Sequence, residues 1–206
     1  MKIPDGPTIA ARQGAAIAGW YAGGVEVPRV AEADTFTALV LEQCAQNYQL
    51  WNQEDQARRT DVSDAVIAGV KRAIDSLNQR RNDLIERLDE TLLAGLGPLI
   101  KEGAPLNSEP PGSMIDRLAI LGLKAHHMER ESLRAGAGAE HCQQCAAKLA
   151  VLREQRQDLA GCFDELLAAA RSGKRRFRVY RQYKMYNDPD LNPELYKRRG
   201  AAGGGR

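Results

Sequence analysis

Residues 70–92 read VKRAIDSLNQRRNDLIERLDETL, and within them Val70, Ile74, Leu77, Leu84, Leu88 and Leu92 stand three, four or seven positions apart. At 100° per residue these side chains fall on one stripe, so the spacing predicts an amphipathic helix. Ser63 or Asp64 can cap its start and Gly95 and Gly97 can stop it, which gives a rod of roughly 45 Å. A helix that long with one apolar face needs partners of similar length.

The flanking sequence supplies them. Phe36, Val40, Asn47, Trp51 and Glu54 share a face on a helix expected from an Asp34 cap to Arg58 or Arg59. Ser113 followed by Asp116 resembles a capping box and opens a third helix through Leu118, Leu121, Ala125 and Met128 to about Leu133. A fourth is expected from about Glu140 to Ser172, with Cys145, Leu149, Leu152, Leu159, Phe163 and Leu166 inward and Gln155 at the centre of the stripe. No stretch alternates with period two long enough to make a sheet. The fold class predicted is therefore all-α, an antiparallel four-helix bundle of long helices over residues 34–173. Residues 1–33, rich in Gly and Pro, read as a flexible N-terminal arm with at most a short helix around Ala10 to Trp20. Residues 174–206 read as a basic aromatic extension whose last residues, from Gly200, are disordered.

The 206 residues carry 29 Lys and Arg against 27 Asp and Glu, but this near-balance is an average over two unlike parts. The extension holds ten basic and three acidic residues, a net of +7, together with five of the 11 aromatics. The rest of the chain is mildly acidic. A large multidomain enzyme is excluded by length. There is no run of roughly 18 apolar residues and no basic start followed by an apolar stretch, so a cytoplasmic location is expected.

Polar residues on the inward faces are the main functional signal. Arg81 sits inside the Leu/Ile stripe, four residues from Leu77 and Ile85, beside a row made of Lys71, Asp75, Asn78, Asn82, Glu86 and Asp89. Asn47, Trp51, Glu54 and Arg58 share a face of the preceding helix, and the third helix carries Asp116, Arg117, Lys124 and His127. An unpaired charge in a core costs several kcal/mol, so these groups must meet one another, water or a ligand. One reading is a closed structural network in which Arg81 pairs with Glu54 or another acid and fixes helix register. The other is a polar pocket between helices that takes a phosphorylated small molecule. In that reading Arg58, Asn78, Arg81, Asn82, Asp116, Arg117, Lys124 and, from the extension, Lys184 contact the ligand. Asp75, Glu86 and Asp89 are then candidate ligands for Mg²⁺, and His127 with Glu54 are the candidate catalytic pair, His127 because its pKa lies near neutrality.

Cys142-x-x-Cys145, with His141, His126 and His127 nearby, could assemble zinc, but there is no second Cys pair, and zinc is disfavoured. In the extension Phe177, Tyr180 and Tyr183 follow helical spacing, which predicts a short helix whose rings cover the bundle. The same mixture of bases and rings suits an anionic surface, whereas no RNA-binding signature occurs and nucleic acid is disfavoured as a partner.

Four blocks in order carry a resemblance: Leu50-Trp51-x-x-Glu54-Asp55-x-Ala57-Arg58, Asp75-x-x-Asn78-x-x-Arg81-Asn82-Asp83, Pro111 to Leu118, and Tyr180 to Asp188. Over roughly residues 36–195 the chain resembles a bacterial family, domain of unknown function 4254. That family implies no reaction. Its members are often encoded beside glycosyltransferases of surface-polysaccharide synthesis, so the resemblance implies a sugar-phosphate or nucleotide-sugar context. Two expectations follow: a helical bundle binding, and transforming if it is an enzyme, a nucleotide or nucleotide-sugar; or a non-enzymatic adaptor that docks on a glycosyltransferase or an anionic membrane surface through its basic tail.

Overall fold

The computed structural model describes residues 3–30, 35–183, 185 and 188–195. They form five α-helices: α1 (Gly6–Ala22), α2 (Thr35–Ala57), α3 (Asp64–Leu96), α4 (Pro111–Ser132) and α5 (Ala139–Arg171), with a 3-10 turn at Gly97–Leu99. The described residues contain no strand, only one isolated parallel bridge between Leu106 and Arg176. None of their helices is long and apolar enough to cross a membrane. The chain is all-helical as the periodicity predicts, and α2 to α5 lie within a residue or two of their expected bounds. Asp34, the expected cap of α2, falls outside the described residues.

The main core joins Phe36 and Val40 of α2, Leu88 and Leu92 of α3, Ile115 and Leu118 of α4, and Phe163 of α5, all 2% exposed or less. Each such burial is worth about 1.5–3 kcal/mol. One inward assignment on α5 is corrected. Gln155 is exposed, and Arg156, one position on, is the side chain directed into the helix interface. A single step is 100° on a helix, enough to exchange the edge of a stripe for its centre.

The expected flexible arm is instead a helix of 17 residues, with Ile9, Gln13 and Ile17 at most 1% exposed. Its small residues, which read as breakers, allow close approach. A Cβ on Gly6 would stand 2.2 Å from the Ala160 carbonyl oxygen of α5. The α1 N-terminus is anchored twice, by Asp5 Oδ1 accepting from Thr8 N at 2.7 Å and by Asp164 Oδ1 of α5 accepting from Gly6 N at 2.7 Å. Further along, Gln13 Nε2 donates to Ile115 O of α4 at 3.1 Å. With α1 packed on α2, α4 and α5, four helices are too few to describe the bundle.

The start of α4 also departs from expectation. The cap is not Ser113: Pro110 precedes the helix, Pro111 takes its first position, where a missing N–H costs nothing, and Gly112 N donates to Asp89 Oδ1 of α3 at 2.6 Å. Beyond α5, residues 177–183 are not helical. Arg176 N donates to Pro105 O at 3.1 Å and Asn107 N to Arg176 O at 2.8 Å, which feeds Phe177 into the main core at 2% exposure. Phe177 therefore covers the bundle as expected, while Tyr180 and Tyr183 remain exposed. The helical spacing was overridden because Arg181 reaches across to α3, bonding Glu86 Oε2 at 2.7 Å and Glu90 Oε1 at 2.5 Å.

The Gly6 contact yields a test. Alanine is about 1 kcal/mol better than glycine in a helix interior, yet Gly6→Ala should destabilise the protein by about 1–3 kcal/mol, because the added methyl meets backbone rather than a yielding side chain. Urea unfolding followed by circular dichroism measures this, and an unchanged or raised midpoint would mean that α1 does not dock this tightly.

Candidate functional site

Positions 47, 51, 54 and 58 recur every three or four residues on α2, and 78 and 81 do so on α3, so both sets turn toward the groove between the two helices. There Asn47, Trp51, Glu54 and Arg58 face Asn78 and Arg81 across a cavity of ≈ 450 Å³, with Ile120 and Leu123 of α4 behind. Four of the residues singled out from sequence thus meet on one wall system: Glu54, Arg58, Asn78 and Arg81.

Asp116 lies beneath, 7% exposed. Its Oδ1 accepts from Gln43 Nε2 at 2.5 Å and from Asn47 Nδ2 at 2.8 Å, and stands 3.6 Å from Arg81 Nε. Burial pushes the carboxyl pKa up, while the Arg81 charge and then the two amide hydrogen bonds pull it down. Arg81 Nε is buried and makes no hydrogen bond, the 3.6 Å separation being an ion pair only. The acid that holds Arg81 is therefore Asp116 and not Glu54. Glu54 pairs instead with Arg58 at the rim, Oε2 to Nη1 at 2.9 Å, and such an exposed pair is worth at most about 1 kcal/mol. Arg58 is free in energetic terms to exchange partners.

Trp51 also borders a second cavity, of ≈ 560 Å³, whose lining is mostly apolar and includes Met128, Val151 and Leu152 with Lys124, His127 and Lys148 at its edges. His127 stacks on Trp51 with ring centroids 4.5 Å apart and planes 8° from parallel. Its Nε2 is 2.9 Å from Tyr21 Oη, which donates its proton to Asn52 Oδ1 at 3.1 Å. Burial first, then His126, lowers the His127 pKa, so the ring is neutral at pH 7. His126 in turn stacks on Tyr21 at 4.7 Å. His127 is thus part of a ring column, and it lines a different cavity from Glu54: the expected catalytic pair is not brought together.

The remaining residues scatter. Lys124 lies between the second cavity and a third, where Arg117 is held by both Glu109 oxygens at 2.7 and 2.8 Å. Asn82, the residue after Arg81 on α3, is buried and does not line the Arg81 cavity. Lys184 lies outside the described residues. Asp75, Glu86 and Asp89 do not form a metal set: Asp75 pairs with Lys71, Glu86 takes Arg181 and Gln182 N, and Asp89 caps α4. Among the described residues no three His, Cys, Asp or Glu side chains are grouped to hold a metal ion.

Sequence reasoning missed Gln43 and Tyr21, and weighed His126 only as a zinc ligand. Gln43 stands four residues before Asn47 and so on the same face of α2, a spacing that the sequence shows. Tyr21 was hidden inside a segment read as an arm, and its contacts are all long-range.

Asp89 is 1% exposed, and burial raises its pKa to about 7 against the pull of the Gly112 N–H. A folded pKa above the unfolded value of 3.8 means that the native state binds the proton more tightly. The Asp89 contribution is then fully present below about pH 4 and lost as pH rises through about 7. The urea midpoint of the wild type, taken relative to Asp89→Asn, should fall across that window. A difference that stays flat with pH would show that the carboxylate is already ionised in the fold.

No curated protein and no solved structure matches the chain. A family model described as Protein of unknown function (DUF4254) matches residues 37–179, a span that runs from the start of α2 through α5 to the segment carrying Phe177 and contains Asp116, Arg81 and the cavity above them. The chain belongs to this family.

Proposed function

We propose that the groove along α4 binds a small phosphorylated molecule, with its phosphate at Arg81 and Arg58 and its ring or other apolar part in the adjoining cavity walled by Trp51, His127, Met128 and Leu152. The observation that carries the reading is Arg81: a guanidinium fixed from behind by a buried acid, with Nε unbonded, on the wall of a cavity that Arg58 and Asn78 share. A cation so held meets an anion without first having to be ordered. The volumes of ≈ 450 and ≈ 560 Å³ suit the two halves of a nucleotide or nucleotide-sugar. A nucleotide-sugar of surface-polysaccharide synthesis in the cytoplasm is the version of this reading that the family context favours. Mg²⁺ would arrive on the ligand's phosphates, with Glu54 and Asp55 the carboxylates at that cavity. His127, neutral and locked between Trp51 and Tyr21, serves in this reading as wall.

Calorimetry with UDP and UDP-glucose, with and without Mg²⁺, tests the proposal on wild type and Arg81→Gln. Binding to the wild type with a loss of tenfold or more in the variant, about 1.4 kcal/mol, is expected. Equal affinities in a variant of unchanged helicity would remove Arg81 from the site and the reading with it.

A second reading rests on a different observation. Tyr183 and Met185 are 84% and 57% exposed, and the same extension carries exposed Arg175 and Arg178. We infer from this pairing of bare rings and bases that the extension docks the bundle on an anionic membrane surface or a glycosyltransferase. Flotation with vesicles containing phosphatidylglycerol should retain the wild type and release the double variant Tyr183→Ser, Met185→Ser. Identical flotation of the two would discard the membrane form of this reading.

A further inference from the structure

A separate cavity of ≈ 380 Å³ lies on the other side of α4, between α1 and α5, and shares no lining residue with the cavities above. Half of its lining residues are Ala or Gly, and Arg156 of α5 also lines it. The guanidinium donates from Nη2 to Ala10 O of α1 at 2.6 Å and from Nε to Leu118 O of α4 at 3.2 Å. Among the described residues it has no carboxylate partner. Glu129, the acid at the rim, is taken by Arg153 at 2.7 Å. Cys44, the other ionisable group that acts on Arg156, is a buried thiol pushed up to about 12 and hence neutral.

Two glycines make room for this cation. A Cβ on Gly122 would stand 2.9 Å from Nη2, and one on Gly14 would stand 3.3 Å from Nη1. The chain has therefore opened both neighbouring helices around a guanidinium whose charge it leaves uncompensated. Removing a cation from water costs several kcal/mol unless an anion or several acceptors replace the solvent, and two carbonyls bond only two of its five N–H groups. Nη1, which has no hydrogen-bond acceptor among the described residues, borders the cavity over Gly14. On the same side His126 lines the cavity and has its Nε2 buried without a hydrogen-bond partner.

We propose that this cavity is a binding site for the oxyanion group, carboxylate or phosphate, of a compact molecule, with Arg156 Nη1 as its principal contact. The small side chains Ala10, Gly14 and Ala18 on α1 leave the space of ≈ 380 Å³ beside the guanidinium open to the rest of the molecule. The site is independent of the Arg81 cavity and survives the failure of the reading given for that cavity.

The full chain, labelled with ¹⁵N, is titrated with inorganic phosphate and separately with acetate, using chloride at equal ionic strength as the control. Saturable shifts of the Gly14 and Gly122 amides are expected with at least one of the two anions, and the Gly14 amide, on α1, borders this cavity and not that of Arg81. A response to phosphate alone, to acetate alone or to both supports the site and identifies the group it takes. Arg156→Gln should abolish the response. Because Arg156 also joins three helices, Ala18→Leu supplies a variant that fills the cavity and leaves the guanidinium in place; it should weaken the response at least tenfold with helicity unchanged. No saturable shift with either anion, or an undiminished one in a folded Ala18→Leu protein, overturns the proposal.

Discussion

One carboxylate oxygen, Asp116 Oδ1, gathers side chains from two other helices: the amides of Gln43 and Asn47 from α2, and Arg81 from α3. Taking that charge out of water is expensive, and only the combination of an ion pair with two amide hydrogen bonds offsets it. The geometry is correspondingly narrow. A slip of α2 by one residue would carry both amides away from the acid, leaving the amides unpaired inside the bundle and the acid with Arg81 alone. The apolar stripes of α2, α3 and α4 would tolerate several registers, and the Asp116 cluster tolerates one.

The same cluster is the floor of the cavity, which links stability to the candidate site. Because Arg81 is held from behind, its position is set before any ligand arrives. Above it Glu54 and Arg58 form a weak, exposed pair, so the rigid cation is half-buried and the adaptable one is at the rim. Along α4 the polar floor passes into the ring column of Trp51, His127, Tyr21 and His126, whose stacked contacts add about 0.5–1.5 kcal/mol each beyond buried area. Through that column the first helix contributes to the groove, although none of its residues was a candidate.

Carboxylates of the kind expected to pair inside the bundle instead attach parts that periodicity does not place, through an arginine or through backbone N–H groups. Glu86 and Glu90 hold Arg181 of the extension, Asp89 holds the start of α4, and Asp164 holds the start of α1. Each of these acids lies on a helix whose register the sequence revealed, yet each partner comes from a loop, a terminus or the extension. That is why a row of carboxylates on α3 looked like metal ligands. Read along one helix, a carboxylate that caps a distant helix and one that waits for a cation are the same.

The sequence by itself determined the all-helical class, the bounds of α2, α3 and α5, the apolar stripe of α3 and the shared faces that carry Glu54 with Arg58 and Asn78 with Arg81, since each of these follows from a period of 3.6 residues acting within one helix. Only the tertiary structure decided that α1 is part of the bundle, because the value of Gly6, Gly14 and Gly122 lies in what approaches them and not in their own propensity. It alone chose Asp116 over Glu54 as the partner of Arg81, kept His127 apart from Glu54, and turned Arg156 inward in place of Gln155. Those outcomes depend on distances between helices, and no spacing within a helix encodes them.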